Sequence, residues 1–240
     1  GASSTPESGY TADRLGDDVL AVLTALKLNR PVLAGHSIGG EELSSIGSRH
    51  PERVSGLIYL DAGYSYALYD RSRGDFIIDR KELQTQLDQL ASLKMPADPR
   101  QLIRELLETT LPALERHLRE IQKNLADELP SPPFFGGPSP WPLSVPDAIM
   151  AGMQKYTEIR VPILAVYALP QATSQEVRND PKKLAEYEAR EEASTGAQAK
   201  AFEMLPSARV VRLPFADHYV FLSNEAEVLW EMNAFIGGLP

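Results

Sequence analysis

The first periodic stretch of the chain runs from Leu15 to Leu26. Leu15, Val19, Val22, Leu23 and Leu26 recur at steps of three and four, the repeat of an amphipathic helix. Thr11 stands where it caps that helix, and Asp13 falls in the first turn, where the helix dipole favours a carboxylate. Pro31-Val32-Leu33-Ala34 follows as a short apolar run without alternation. Such a run suits a strand buried on both faces, as in a parallel sheet. A helix is predicted from Ile38 to Arg49, stopped by Pro51, because the residue before a proline is steered out of the helical region. Three more strands are predicted: Val54–Leu60, ending at Asp61-Ala62-Gly63; Val161–Tyr167, ending at Pro170; and Arg209–Leu213, running into Pro214–His218. The last helix is predicted over Glu225–Ile236, with Val228, Leu229, Met232 and Ile236 facing inward. Asn224 and Glu227 have the spacing of a capping box.

Strands alternating with helices predict an α/β fold built on a parallel sheet. Between the second and third strands, residues 64–158 read as almost wholly helical: Lys81–Lys94, Pro99–Glu128 with a kink at Pro112, then Asp147–Tyr156. The predicted organisation is therefore a first part of the α/β core at 1–63, a helical cap at 64–158, and a second part of the core at 159–240. An insert on the C-terminal side of a sheet is most simply a cap over a site there. Within it, the proline-rich segment Leu129–Pro146 is predicted to be an irregular loop over an apolar surface. Its Phe134, Phe135 and Trp141 are poorly suited to full solvation, and with Met150 and Met153 they suggest an apolar acyl or alcohol pocket, or plain core packing.

Composition narrows the chemistry. The 24 Lys and Arg face 33 Asp and Glu, a formal net charge of −9, a poor match for nucleic-acid phosphates. No run approaches the roughly 18 apolar residues that span a bilayer. The chain has no cysteine, which excludes disulfides, thiolate nucleophiles and Cys-ligated zinc or iron–sulfur sites. It leaves the compartment open, since a cysteine-free protein survives in either redox environment.

The informative segment is Gly35-His36-Ser37-Ile38-Gly39-Gly40. It matches G-x-S-x-G and lies directly after a predicted buried strand and before a helix. In that place a serine occupies a tight, strained turn, so small neighbours are needed two residues either side, here Gly35 and Gly39. The turn presents the hydroxyl at a helix N-terminus, which favours developing negative charge. A serine nucleophile needs a base, and the chain has four histidines. His36 is read as a packing residue beside the nucleophile, His50 as a solvated helix cap, and His117 as solvent-facing on a charged helix. His218 lies in a loop after a strand, where a base belongs in this architecture. For the acid that orients it, Asp61 at the end of the second strand is the first candidate, with Glu176 and Asp180 as alternatives. Asp217 ranks low, because adjacent side chains in an extended loop diverge.

The order Ser, Asp, His on strand–turn–helix units with a cap between them resembles the α/β-hydrolase superfamily. The parts that carry the resemblance are Gly35–Gly40 as nucleophile turn, Val54–Gly63 as the next strand, and Ala216–Ser223 followed by the last helix. Gly1-Ala2-Ser3-Ser4 also resembles the loop that precedes the helix before the nucleophile strand. Some haloalkane dehalogenases of this superfamily place the acid where Asp61 stands, but they use an aspartate nucleophile. Ser37 points to acyl transfer chemistry instead. The resemblance implies a serine hydrolase of carboxylic esters with Ser37, His218 and Asp61 as triad, the Ile38 N–H as one oxyanion donor, a small-molecule ester substrate, and no metal or organic cofactor. An acyltransferase, a lactonase or a C–C hydrolase would use the same three residues. It also implies an N-terminally truncated fold, lacking the first strands and the loop that gives a second oxyanion donor. One such donor is worth on the order of 3 kcal/mol. The predicted consequences are weakened activity and a bare sheet edge at Val32 that pairs with a second copy, as a homodimer, or with an N-terminal fragment. A non-catalytic remnant acting as a binding or assembly module is the reading of another class.

Overall fold

The computed structural model describes residues 6–92, 98–125 and 145–239. Phe134, Phe135, Trp141 and the segment Gly1–Ser4 lie outside the described residues. The chain divides into two compact units, one of residues 1–69 and 152–240, the other of residues 70–151.

The first unit is an α/β layer structure. Strands β1 (Val32–His36), β2 (Gly56–Leu60), β3 (Ile163–Ala168) and β4 (Ala208–Leu213) form one sheet in the order β1-β2-β3-β4, all parallel. Every residue of β2 and β3 is buried. Their side chains alternate between faces, as strand geometry requires. Leu57, Tyr59, Ile163, Ala165 and Tyr167 join one apolar cluster, with Leu20 and Leu23 of α1 (Ala12–Ala25), Leu43 and Ile46 of α2 (Gly40–Arg49), and Phe202. Ile58, Leu60, Leu164, Val166 and Ala168 join the other, with Leu213, Val220 and Val228. A side chain buried in this way contributes about 1.5–3 kcal/mol, so the sheet is anchored at β2 and β3.

Several expectations are met and several are corrected. Thr11 caps α1, its Oγ1 accepting from the Arg14 N–H. β1 is not buried on both faces; it is half-buried, with Ala34 exposed. It stands at the sheet edge and pairs with β2 alone among the described strands, so one flank lacks a neighbour. In the last helix, Leu229 and Ile236 point outward, 48% and 46% exposed. The inner stripe runs instead through Val228, Glu231, Met232 and Phe235, the same helical period shifted in phase. Glu231, 10% exposed and paired with the exposed Arg209, puts a charged residue on the inner face, which an apolar count does not register. The capping box does not form: the Asn224 side chain makes no cap bond and accepts from Ser223 Oγ.

The second unit holds four of the described helices. α3 (Phe76–Ala91) begins ahead of the predicted Lys81 because Asp75 caps it, accepting from the Ile77 and Ile78 N–H groups at 3.0 Å each. α4 (Pro99–Glu105) passes through a π-helical turn at Leu106–Thr110 into α5 (Leu111–Leu125). The irregularity expected at Pro112 thus sits one turn earlier, since Pro112 has no N–H to return to that turn. α6 covers Val145–Ala151 rather than Asp147–Tyr156. His117 is not solvent-facing. Its side chain is 15% exposed and its Nε2 lies 3.5 Å from Oδ2 of the buried Asp79. The sheet unit takes in residues 64–69 and 152–158 beyond the predicted 63/64 and 158/159, among them the buried Ala67, Leu68, Met153 and Tyr156.

Within the sheet unit, five further helices complete the order: α7 (Gln175–Asn179), α8 (Pro181–Glu191) and α9 (Ala197–Glu203) between β3 and β4, then α10 (Val220–Ser223) and the final α11 (Glu225–Gly237).

Candidate active site

Parallel register brings the strand ends to one edge of the sheet. His36 pairs with Leu60, Leu60 with Val166, and Ala168 with Leu213. The residues that follow β1, β2 and β4 therefore emerge together: Ser37, Asp61 and the loop that carries His218.

Ser37 turns the chain with φ at 52°, the left-handed region that a non-glycine residue occupies at a cost of order 1–3 kcal/mol. A short 3-10 turn, Ser37–Gly39, leads into α2. A Cβ on Gly35 would stand 2.9 Å from Gly39 O and 3.0 Å from Leu43 Cδ1. Gly39 was expected to be equally confined, but a Cβ there would meet only Glu42 Oε2, at 3.9 Å. The crowded position is Gly40, whose added Cβ would lie 2.0 Å from Ala62 O. It is the close approach of α2 to the loop after β2 that demands the glycine.

Asp61 is wholly buried and also takes a positive φ, 46°. Its Oδ2 lies 2.7 Å from His218 Nδ1, and its Oδ1 accepts from the Ala168 N–H at 3.1 Å. Burial, then the Asp61 charge, pushes the Tyr64 phenol well above its ordinary value. With Asp61 on Nδ1, that nitrogen carries the proton and Nε2 is left as the basic nitrogen. The His218 side chain is 33% exposed, so the ring is reachable from solvent.

The loop holding His218 is fixed from two sides. Asp217 Oδ1 accepts from the Tyr219 N–H at 3.0 Å, and the Asp217 N–H donates to Ser223 Oγ at 3.1 Å. His36 Nε2 donates to the His218 carbonyl at 3.0 Å, and the two rings lie 4.5 Å apart. His36 also contacts the rings of Tyr219 and Phe221. Because His36 directly precedes Ser37, this contact ties the nucleophile turn to the histidine loop. The alternative acids are engaged elsewhere. Glu176 pairs with Lys183 at 2.5 Å, and Asp180 caps α8 by accepting from the Lys182 and Lys183 N–H groups. His50 ends α2, half-exposed and near Asp17 and Glu52.

Tyr66 was not singled out from sequence. Its ring lies 5.8 Å from that of Tyr64, and burial, then the Asp61 charge, pushes its phenol well above its ordinary value. The segment Ala62-Gly63-Tyr64-Ser65-Tyr66 directly after Asp61 is its only sequence signal. Among the described residues, no three His, Asp or Glu side chains gather as metal ligands, and no helix is long and apolar enough to cross a membrane.

Comparison with known proteins agrees with this architecture. Residues 1–230 match the model of a family described as "Alpha/beta hydrolase family". A 2-(acetamidomethylene)succinate hydrolase of Mesorhizobium japonicum is 30% identical over 61 residues, 25% of this chain and 22% of that protein. The dihydrolipoyllysine-residue acetyltransferase component of an acetoin cleaving system of Pseudomonas putida is 31% identical over 123 residues, 48% of this chain and 32% of that one. Aligned stretches thus span about a quarter to a third of the curated relatives. The solved structure of esterase RhEst1 from a Rhodococcus species superposes with a TM-score of 0.52 at 18% identity, over 100% of this chain and 78% of the other. The parallel sheet, the strained serine turn after β1 and the match over residues 1–230 lead to one assignment: this chain belongs to the alpha/beta hydrolase family.

Proposed function

We propose that the chain is a serine hydrolase that cleaves carboxylic esters through an acyl-enzyme, with Ser37 as nucleophile, His218 as base and Asp61 as the acid that orients it. The observation that carries this reading is the contact of Asp61 Oδ2 with His218 Nδ1 at 2.7 Å, at the strand edge where Ser37 occupies its strained turn. Ser37 Oγ bonds to the acyl carbon, the carbonyl π pair moves onto oxygen, and the serine proton passes to His218 Nε2. The Ile38 N–H faces the developing oxyanion. Collapse expels the alkoxide, which leaves as alcohol with the proton from His218. Water repeats the sequence on the acyl-enzyme and frees the acid.

Acyl transfer to an alcohol is the second reading, favoured by the relative named as an acetyltransferase component. Product analysis with water and an alcohol competing separates the two. The test of the triad is hydrolysis of p-nitrophenyl acetate. Ser37→Ala and His218→Ala should each lower kcat by about 10⁴–10⁶ while keeping the wild-type melting transition. A variant that keeps both its fold and the wild-type rate removes that residue from the mechanism.

A further inference from the structure

His218 is pinned twice, and only one of the two contacts enters the steps above. Its ring meets Asp61, which follows β2, through Nδ1 at 2.7 Å. Its main-chain carbonyl accepts at 3.0 Å from Nε2 of His36, the last residue of β1. A carbonyl oxygen only accepts, so the His36 Nε2 carries a proton. Resting on the ester-hydrolase reading, we propose that His36 is a positioning residue: its Nε2–H holds the His218 main chain so that the imidazole, anchored at Nδ1 by Asp61, presents its own Nε2 to the serine.

The sheet sets both anchors side by side. His36 pairs with Leu60 across β1 and β2, and Asp61 is the next residue. With the carbonyl and Nδ1 of one histidine both fixed, its side-chain torsions have little freedom left, and Nε2 has one place to stand. The bonds of Asp217 to Ser223 and Tyr219 lie within residues 217–223, so they shape the loop without tying it to β1. Where the chain enters the loop it is bonded to the segment after β3. The Phe215 N–H donates to Pro170 O at 2.6 Å, and the Ala172 N–H donates to Ala216 O at 2.8 Å. His36 supplies the tie to the strand that carries the nucleophile, since Ser37 follows it directly.

The donor is itself held. The His36 ring lies 4.5 Å from that of His218 and 4.9 Å from that of Tyr219, and it meets the Phe221 ring edge-on at 5.1 Å. Packing and hydrogen bonding by His36 separate on substitution. Phenylalanine keeps the ring and loses the donor. Glutamine loses the ring but carries an amide N–H₂ as many bonds from Cβ as Nε2 is. Asparagine carries the same amide one bond short, where it does not reach the His218 carbonyl.

The test measures kcat and KM on p-nitrophenyl acetate, with the melting temperature, for wild type, His36→Phe, His36→Gln and His36→Asn. A misplaced catalytic group costs up to about 10²-fold, so kcat should fall by about 10–10² in His36→Phe and His36→Asn and stay close to wild type in His36→Gln. KM should change little in all three, the split that marks an interaction acting on the transition state. Labelling of Ser37 by a fluorophosphonate should slow in the same order. A packing role gives the opposite rank, with His36→Phe near wild type and His36→Gln impaired, and that rank overturns the proposal. Equal kcat in His36→Gln and His36→Asn overturns it too, even if His36→Phe does not fold. Either result leaves the triad standing. A wild type that does not hydrolyse the ester overturns the ester-hydrolase reading, and this proposal with it.

Discussion

Asp61 shows how much of the account rests on single atoms. One oxygen accepts from the Ala168 N–H and the other faces His218 Nδ1. In Asp61→Asn the amide keeps the first bond through its oxygen but turns an N–H₂ toward the imidazole. The ring must then accept at Nδ1 and carry its proton on Nε2, the tautomer that cannot take the serine proton. The expected loss in kcat is about 10⁴, measured by single-turnover kinetics, with the melting transition close to wild type because the shape is unchanged. A fall of only a few-fold would move the orienting role away from Asp61. At this scale Ser37, Asp61 and His218 were legible in the sequence because each has a positional rule, a strand end followed by a turn. Tyr64 and Tyr66 were not. A tyrosine in a loop carries no such rule.

At the scale of elements, α1 and α2 are joined through Asp13. Ser45 Oγ and Tyr156 OH donate to its Oδ1 at 2.8 and 2.7 Å, Gln154 Nε2 donates to its Oδ2 at 3.0 Å, and Arg49 lies 2.8 Å away. Burial raises this carboxyl, but the hydrogen bonds from Tyr156, Ser45 and Gln154 with the Arg49 charge outweigh it, and the net shift is downward. A depressed acid stabilises the fold above its unfolded value of about 3.9 and loses that contribution as pH falls through the lower folded value. Asp13→Asn should therefore melt below wild type at pH 7, by about 2–4 °C per kcal/mol lost, and the gap should close below about pH 4. Because the carboxylate is partly solvated, at most about 1 kcal/mol is expected. A gap that persists unchanged at pH 3 would assign the effect to shape rather than charge. Elements with a strong apolar signal, α1 and the strands β2 to β4, were readable to within a residue or two. The inner face of α11 and the setting of His117 were not, because polar side chains pack there, Glu231 with Arg209 and His117 with Asp79, and apolar periodicity is blind to them.

For the molecule as a whole, the alternation of strands and helices already pointed to a parallel sheet, and the order β1-β2-β3-β4 agrees. What alternation does not contain is the depth of each strand: β1 lies at the edge and is half-buried, whereas β2 is wholly buried. Nor does it give the compact units, whose limits depend on which flanking residues reach the sheet's core. The central claim is that this unit holds an assembled serine nucleophile, and covalent capture tests it most directly. Wild type and Ser37→Ala are treated with a fluorophosphonate probe and weighed intact. One adduct per wild-type chain is expected, lost in Ser37→Ala and slowed in His218→Ala. An unlabelled wild type with a native melting transition, or equal labelling of Ser37→Ala, would contradict it.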